Sequence, residues 1–128
     1  MKILLLDSIE ATCAQKLKAE NFSVDEKPKI SKDELLKIIS EYDAVVVRSA
    51  TQITSEIISA GKNLKVIGRA VAGVDNIDAH AATRKGILVM NTPGGNTIST
   101  AEHTMSLLLS LARKIPQANA SLLRNEWE

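Results

Sequence analysis

With 128 residues, 45% of them hydrophobic and 24% charged, the chain has the make-up of one soluble globular domain that buries about two-thirds of its unfolded surface. A formal net charge of +1 argues against nucleic acid or an anionic membrane surface as the main partner, so any anion must be recognised locally. The single cysteine, Cys13, excludes an internal disulfide, and no apolar run approaches the ~18 residues needed to span a bilayer.

The chain opens on a short apolar strand, residues 3–6, with one early lysine and no small-residue cleavage site, which predicts no signal peptide and a cytoplasmic protein. Ser8 then precedes a helix burying Ile9, Cys13 and Leu17 along one face. A second strand covers residues 22–25. Ser31-x-x-Glu34 is a capping box ahead of Leu35, Ile38 and Ile39. A third strand follows at 44–47, and Thr54 caps a shorter helix with Ile57 and Ile58 that Gly61 ends. A fourth strand at 66–68 leads to a helix capped by Asp78 and closed by Gly86, just after Arg84 and Lys85, cations that suit a helix C-terminus. The fifth strand, residues 87–90, is apolar without alternation and so predicts burial on both faces. Such alternation implies parallel strands with right-handed crossovers: an α/β fold, a flavodoxin-like open sheet of five strands with helices on both faces.

The last segment departs from this rhythm. Asn91, Thr92, Pro93, Gly94, Gly95 and Asn96 form a turn, and Ser99-x-x-Glu102 reads as a second capping box. Strand end, glycine turn and helix N-terminus together suit an anion. The helix carries Met105, Leu107, Leu108, Leu109, Leu111 and Ala112 around nearly its whole circumference. It therefore expects burial on more than one side, as in a chain that has been cut or one that pairs with a second copy. Pro116 kinks or restarts it, and it runs on through Leu122 and Leu123 towards Trp127, giving a long or kinked C-terminal helix.

Ligands of doubly wound sheets bind outside the carboxyl ends of the strands. Here those ends offer Asp7 and Ser8, then Arg48 to Thr51, then Arg69 and the turn Gly73-Val74-Asp75-Asn76, then residues 91–96. Arg48 follows three valines, so its guanidinium emerges at the rim, where it either grips a carboxylate or phosphate with two prongs or makes a surface ion pair. A second arginine and two polar turns on the same edge favour the anion. Gly73-Val74-Asp75-Asn76 reads equally as an ordinary turn and as backbone donors facing a ligand. His103, near a helix start, reads as packing, and His80 as solvent-exposed. There is no G-x-G-x-x-G, no metal-ligand spacing and no nucleophile elbow, so no metal site and no catalytic residue is assigned. A non-catalytic receiver or oligomerisation module is the alternative class, but Asp7 lacks the acidic neighbours a receiver needs at its first strand end.

Val47-Arg48-Ser49-Ala50-Thr51, Gly68-Arg69-Ala70, Gly73-Val74-Asp75-Asn76, Ala82-Thr83-Arg84-Lys85-Gly86-Ile87, Asn91-Thr92-Pro93, Glu102-His103-Thr104 and Ala112-Arg113-Lys114-Ile115-Pro116-Gln117 together resemble the NAD-dependent D-2-hydroxyacid dehydrogenases. The resemblance runs through all 128 residues in unbroken order. It implies that residues 1–92 are part of a substrate-binding domain. Residues 93–128 would be the junction and first helix of a cofactor domain, contributing to a homo-oligomer surface. It also implies that Arg48 and Ser49 bind the acidic groups of a small phosphorylated hydroxyacid, with Arg69 nearby, and that the backbone amides of Ala72 and Gly73 hold its carboxylate. Asn96 would lie beside substrate and nicotinamide, with Ala72 and Thr104 as further neighbours of NAD. Glyoxylate, hydroxypyruvate or glycerate are the other substrates the family suggests. Where relatives carry Gly-x-Gly-Val-Asp, this chain has Val71-Ala72-Gly73-Val74-Asp75, and a valine resists positive φ. The family's phosphate-cradling glycine loop and its arginine, glutamate and histidine for proton transfer have no counterpart in residues 1–128. This implies a fragment that binds NAD weakly or not at all and is inactive alone.

Overall fold

Five parallel strands, apolar except for the largely polar edge strand β2, form one sheet: β1 (Lys2–Leu6), β2 (Ser23–Lys27), β3 (Ala44–Val47), β4 (Val66–Arg69) and β5 (Leu88–Met90), in the order β2-β1-β3-β4-β5. The predicted flavodoxin-like sheet is therefore present. The computed structural model describes residues 1–126, and the chain divides into two compact units, Met1–Gly95 and the segment from Asn96 onward. All five strands lie in the first unit, with α1 (Ala11–Ala19), α2 (Lys32–Ile38), a 3-10 turn at Ile39–Glu41, α3 (Ser55–Ala60) and α4 (Ala79–Arg84).

The two-residue period of a strand sorts side chains between the faces. Leu4, Leu6, Val45, Val47 and Ile67, all fully buried, meet Leu35, Ile39, Ile57, Ile58, Ala81 and Ala82 on one face. Each of the valines, leucines and isoleucines contributes about 1.5–3 kcal/mol on burial. On the other face Ile3, Leu5 and Ala44 meet Ala14, with Cys13, Leu17 and Phe22 packed against them. Within the first unit only α1 serves this face, and Val46, Val66, Gly68 and Met90 line an apolar hollow of about 360 Å³. The expectation that the fifth strand is buried on both faces is therefore corrected. Val89 packs into the first core, but Leu88 and Met90, paired with Val66 and Gly68, remain more than half exposed. α1 packs over β1 and β2 and does not reach this edge.

Most expected caps form. Ser31 and Glu34 exchange both bonds of a capping box, Asp78 accepts from the Ala81 amide at 2.8 Å, and Gly86 takes φ 70° after α4. Thr54 occupies the N-cap of α3 without a side-chain bond. α1 starts at Ala11 with Glu10 as its cap, later than Ser8 suggested, because Asp7 adopts φ 61° and the chain must turn first.

The second unit contains α5 (Thr97–Ala112) and α6 (Ile115–Leu123). Lys114 at φ 51° separates them and Pro116 sits in the first turn of α6, so the proline restarts the helix. The second capping box does not form. The helix begins two residues before Ser99, with Asn96 at the N-cap position making no side-chain cap bond, and the Ser99 hydroxyl donates to the Asn96 carbonyl at 3.1 Å within the first turn. Ile98, Met105, Leu107, Leu108, Leu109 and Leu111 are all exposed. Trp127 lies outside the described residues. No helix among the described residues is long and apolar enough to cross a membrane.

The sole tyrosine supplies a pH test of the first unit. Tyr42 is buried, donates its hydroxyl to Asp25 at 2.8 Å, and has its phenol pushed up to about 12, first by burial and then by that carboxylate. The folded state thus keeps a proton that the unfolded chain releases, so stability falls as pH rises from 10.0 towards about 12. Melting temperature should drop through that window, and Tyr42→Phe should flatten the drop. An identical alkaline slope in the variant would contradict this assignment.

Candidate functional site

The sheet order changes direction between β1 and β3, since the chain adds β2 on one side of β1 and every later strand on the other. In sheets of this type a crevice opens at the carboxyl ends of the strands at that switch. Asp7 and Arg48 stand at those two ends.

Arg48 is exposed, and its Nη1 donates to the Ser8 carbonyl at 3.0 Å, so the side chain lies across the crevice between the two strand ends. Ser49 and Ala50, which follow, are exposed as well. Behind this loop Asp7, Lys29, Leu35, Thr51 and Ile57 line an open hollow of about 480 Å³. Arg69, at the end of β4, behaves differently. It is only 7% exposed, its Nε donates to the Arg48 carbonyl at 3.4 Å, and its Nη1 donates to the Ala72 carbonyl and faces Asp75 at 3.4 Å. Arg48 thus presents charge outward, while Arg69 ties the Arg48 backbone to the next turn. Asp75 is 88% exposed, so its pairing with Arg69 adds little to stability.

The turn after β4 takes its single left-handed residue at Gly73, φ 76°, and none at Val71, so the valine costs the turn nothing. A Cβ at Gly73 would stand 3.1 Å from Arg69 Nη1, so the glycine also admits the guanidinium. Ala72 and Gly73 are exposed, and among the described residues their N–H groups meet no protein acceptor. Two free backbone donors beside an arginine suit a carboxylate. Arg48, Ser49, Arg69, Ala72 and Gly73 therefore belong to one edge of the first unit.

Asn96 and Thr104 belong to the second unit. Both are exposed and line a shallow hollow with Thr97, Thr100, Ala101 and Met105. The Thr104 hydroxyl donates to the Thr100 carbonyl at 2.8 Å and keeps acceptor capacity. An amide and hydroxyls suit the amide end of a nicotinamide. Nothing in this set would hold a pyrophosphate, so the residues present fit one end of a dinucleotide only. His80 and His103 are exposed, and among the described residues no three His, Cys, Asp or Glu side chains cluster as metal ligands.

Two residues that the sequence places at these strand ends, but to which it assigns no role, hold the loop between them. Asp7 and Asn76, both buried, bond the backbone on either side of the 48–51 loop. A polar residue ending an apolar strand was the only available signal for Asp7. Asn76 stood in a turn whose sequence reads equally as an ordinary turn and as backbone donors, and neither reading points to its side chain.

Comparison with known proteins gives a consistent result. The family model described as D-isomer specific 2-hydroxyacid dehydrogenase, catalytic domain, matches residues 3–124. The chain is 49% identical to the D-3-phosphoglycerate dehydrogenase of Archaeoglobus fulgidus over 128 residues, covering all of this chain and 24% of the relative. It is 48% identical to the human D-3-phosphoglycerate dehydrogenase over 127 residues, covering 99% of this chain and again 24% of the relative. The chain thus spans about a quarter of the length of these relatives. Among solved structures, the NAD-bound 3-phosphoglycerate dehydrogenase of Entamoeba histolytica superposes with a TM-score of 0.70 at 35% identity, over 86% of this chain and 38% of that one.

Proposed function

From the premise that the chain belongs to the D-isomer specific 2-hydroxyacid dehydrogenases, we propose that it is the substrate-domain portion of an enzyme oxidising 3-phospho-D-glycerate to 3-phosphooxypyruvate with NAD. The observation that carries the substrate is the exposed Arg48 guanidinium at the sheet's switch point, with the unpartnered amides of Ala72 and Gly73 after the neighbouring strand end on the same edge. A phosphorylated acid has two anionic groups, and this edge offers a separate partner for each.

On this reading Arg48 and Ser49 take the phosphate and the backbone donors of Ala72 and Gly73 take the carboxylate. The hydroxyl-bearing C2 is then held between two fixed ends. Arg69 keeps the two donor sets at a constant spacing. NAD, when bound, supplies the acceptor for the hydride leaving C2. Asn96 and Thr104 would meet its nicotinamide end, and Ala72 would adjoin it. The proton released from the C2 hydroxyl has no acceptor assigned in residues 1–128, and His103 is exposed. Residues 1–92 form the substrate domain and 93–128 open the cofactor domain of a cytoplasmic enzyme.

The chain alone should bind 3-phospho-D-glycerate more tightly than unphosphorylated glycerate or glyoxylate, yet form no reduced nicotinamide when NAD is added. Turnover by residues 1–128 would overturn the division of labour, and equal binding of all three acids would overturn the phosphate assignment. Pairing of two copies through residues 97–112 is supported by six exposed apolar side chains on one helix, a patch that monomers rarely leave open. Sedimentation should therefore give a dimer; a strictly monomeric profile would count against pairing.

A further inference from the structure

We propose that Asp7 and Asn76 are positioning residues that preset the 48–51 loop for its anion, an inference that rests on the reading of Arg48 as substrate-binding. Asp7 Oδ2 accepts from the Arg48 amide at 2.7 Å and the Thr51 amide at 3.4 Å, while Oδ1 accepts from the Thr51 hydroxyl at 2.6 Å. Asn76 Nδ2 donates to the Arg48 carbonyl at 2.9 Å and to the Thr51 carbonyl at 2.5 Å. The first and last residues of the loop are thus each held by N–H on one side and C=O on the other. Between them the amides of Ser49 and Ala50 meet no protein acceptor among the described residues.

Packing cannot do this work. Residues 48–50 are exposed, and the space behind the loop is the open hollow. The clamps are themselves anchored. Asp7 is buried at the end of β1 with its φ of 61°. The Asn76 carbonyl accepts from the Ile53 amide at 2.8 Å, next to the bridge pairing Ile53 with Ile77. The Asp7 charge opposes an anion at Arg48, so charge alone would make its removal improve binding. Its contribution to an anion site must come from the bonds it accepts.

The chemistry makes the two positions respond oppositely to the exchange of amide and acid. An asparagine at position 7 tolerates positive φ, offers one oxygen to the two amides and turns its NH₂ to the Thr51 hydroxyl, which can accept. An aspartate at position 76 would set an anionic oxygen against two carbonyls and could donate to neither.

The test is calorimetric titration of the chain with 3-phospho-D-glycerate, with thermal melts alongside. Asp7→Ala should weaken binding about tenfold or more through loss of charge-assisted bonds, and Asp7→Asn should restore most of it. Asn76→Asp should bind at least as poorly as Asp7→Ala. Should Asn76→Asp fail to fold, the Asp7 pair decides on its own. A merely structural role would move the melting temperature of Asp7→Ala without separating the affinities of the two folded Asp7 variants. Asp7→Ala binding as tightly as the parent, with Arg48→Ala still weak, overturns the clamp alone. Affinity independent of Arg48 overturns the underlying reading and the clamp with it.

Discussion

Replacing Arg48 by alanine should weaken binding of 3-phospho-D-glycerate roughly 10- to 100-fold, because hydrogen bonds to charged groups are worth about 1.5–3 kcal/mol. The argument is geometric as well as electrostatic. A guanidinium presents paired donors to a phosphate, and Arg48 is delivered to the rim by a buried strand whose Val45 and Val47 have no solvent exposure. Arg48→Lys keeps the charge and loses the fork, so it should fall between the two. The backbone of residue 48 is bonded to Asp7, Asn76 and Arg69, so removal of its side chain beyond Cβ leaves the loop in place. Calorimetric titration reads the effect directly, and unchanged affinity in a folded Arg48→Ala variant would move the site elsewhere.

The second large effect concerns the platform. Ile67 is fully buried in β4, paired with Val45 on one side and Val89 on the other, two residues before Arg69. Ile67→Ala should cost about 2–5 kcal/mol, combining lost transfer energy with the cavity left between the sheet and the helices packed on it. That is a large share of the stability of a domain this size, commonly about 5–15 kcal/mol. Urea unfolding would measure it, and a loss under about 1 kcal/mol would mean that the sheet centre repacks. The two predictions separate cleanly: Ile67→Ala lowers stability, with binding weakened only through the unfolded fraction, whereas Arg48→Ala lowers binding in a folded chain.

What could be read from residues alone follows the range of the forces involved. The strands were legible because apolar runs bounded by Gly, Asn and Asp carry their own local signal, and Ala44–Val47 matched residue for residue. Ser31 and Asp78 were legible as caps because a cap is a contact within three residues. Ser99-x-x-Glu102 had the same pattern and failed, since the turn at residues 93–96 delivered Asn96 to the cap position first. The exposure of Leu88 and Met90 was not legible, because it depends on which helix reaches the sheet edge, a property of the assembled fold. Arg48 was visible as a charge ending a valine strand. The bonds around it were not, since Asp7 is 41 residues from Arg48 and Asn76 is 28 away. Only the strand order β1-β3-β4 brings those groups together. The outward-facing part of the site is thus written in local sequence, and the part that holds it still is written in topology.

The most direct test of the central claim is amide chemical-shift mapping of the chain titrated with 3-phospho-D-glycerate. A saturable response concentrated at Arg48, Ser49, Ala72 and Gly73 is the predicted result. A response confined to the hollow behind the loop, which Lys29 and Lys32 also line, with those four amides unmoved, would contradict it.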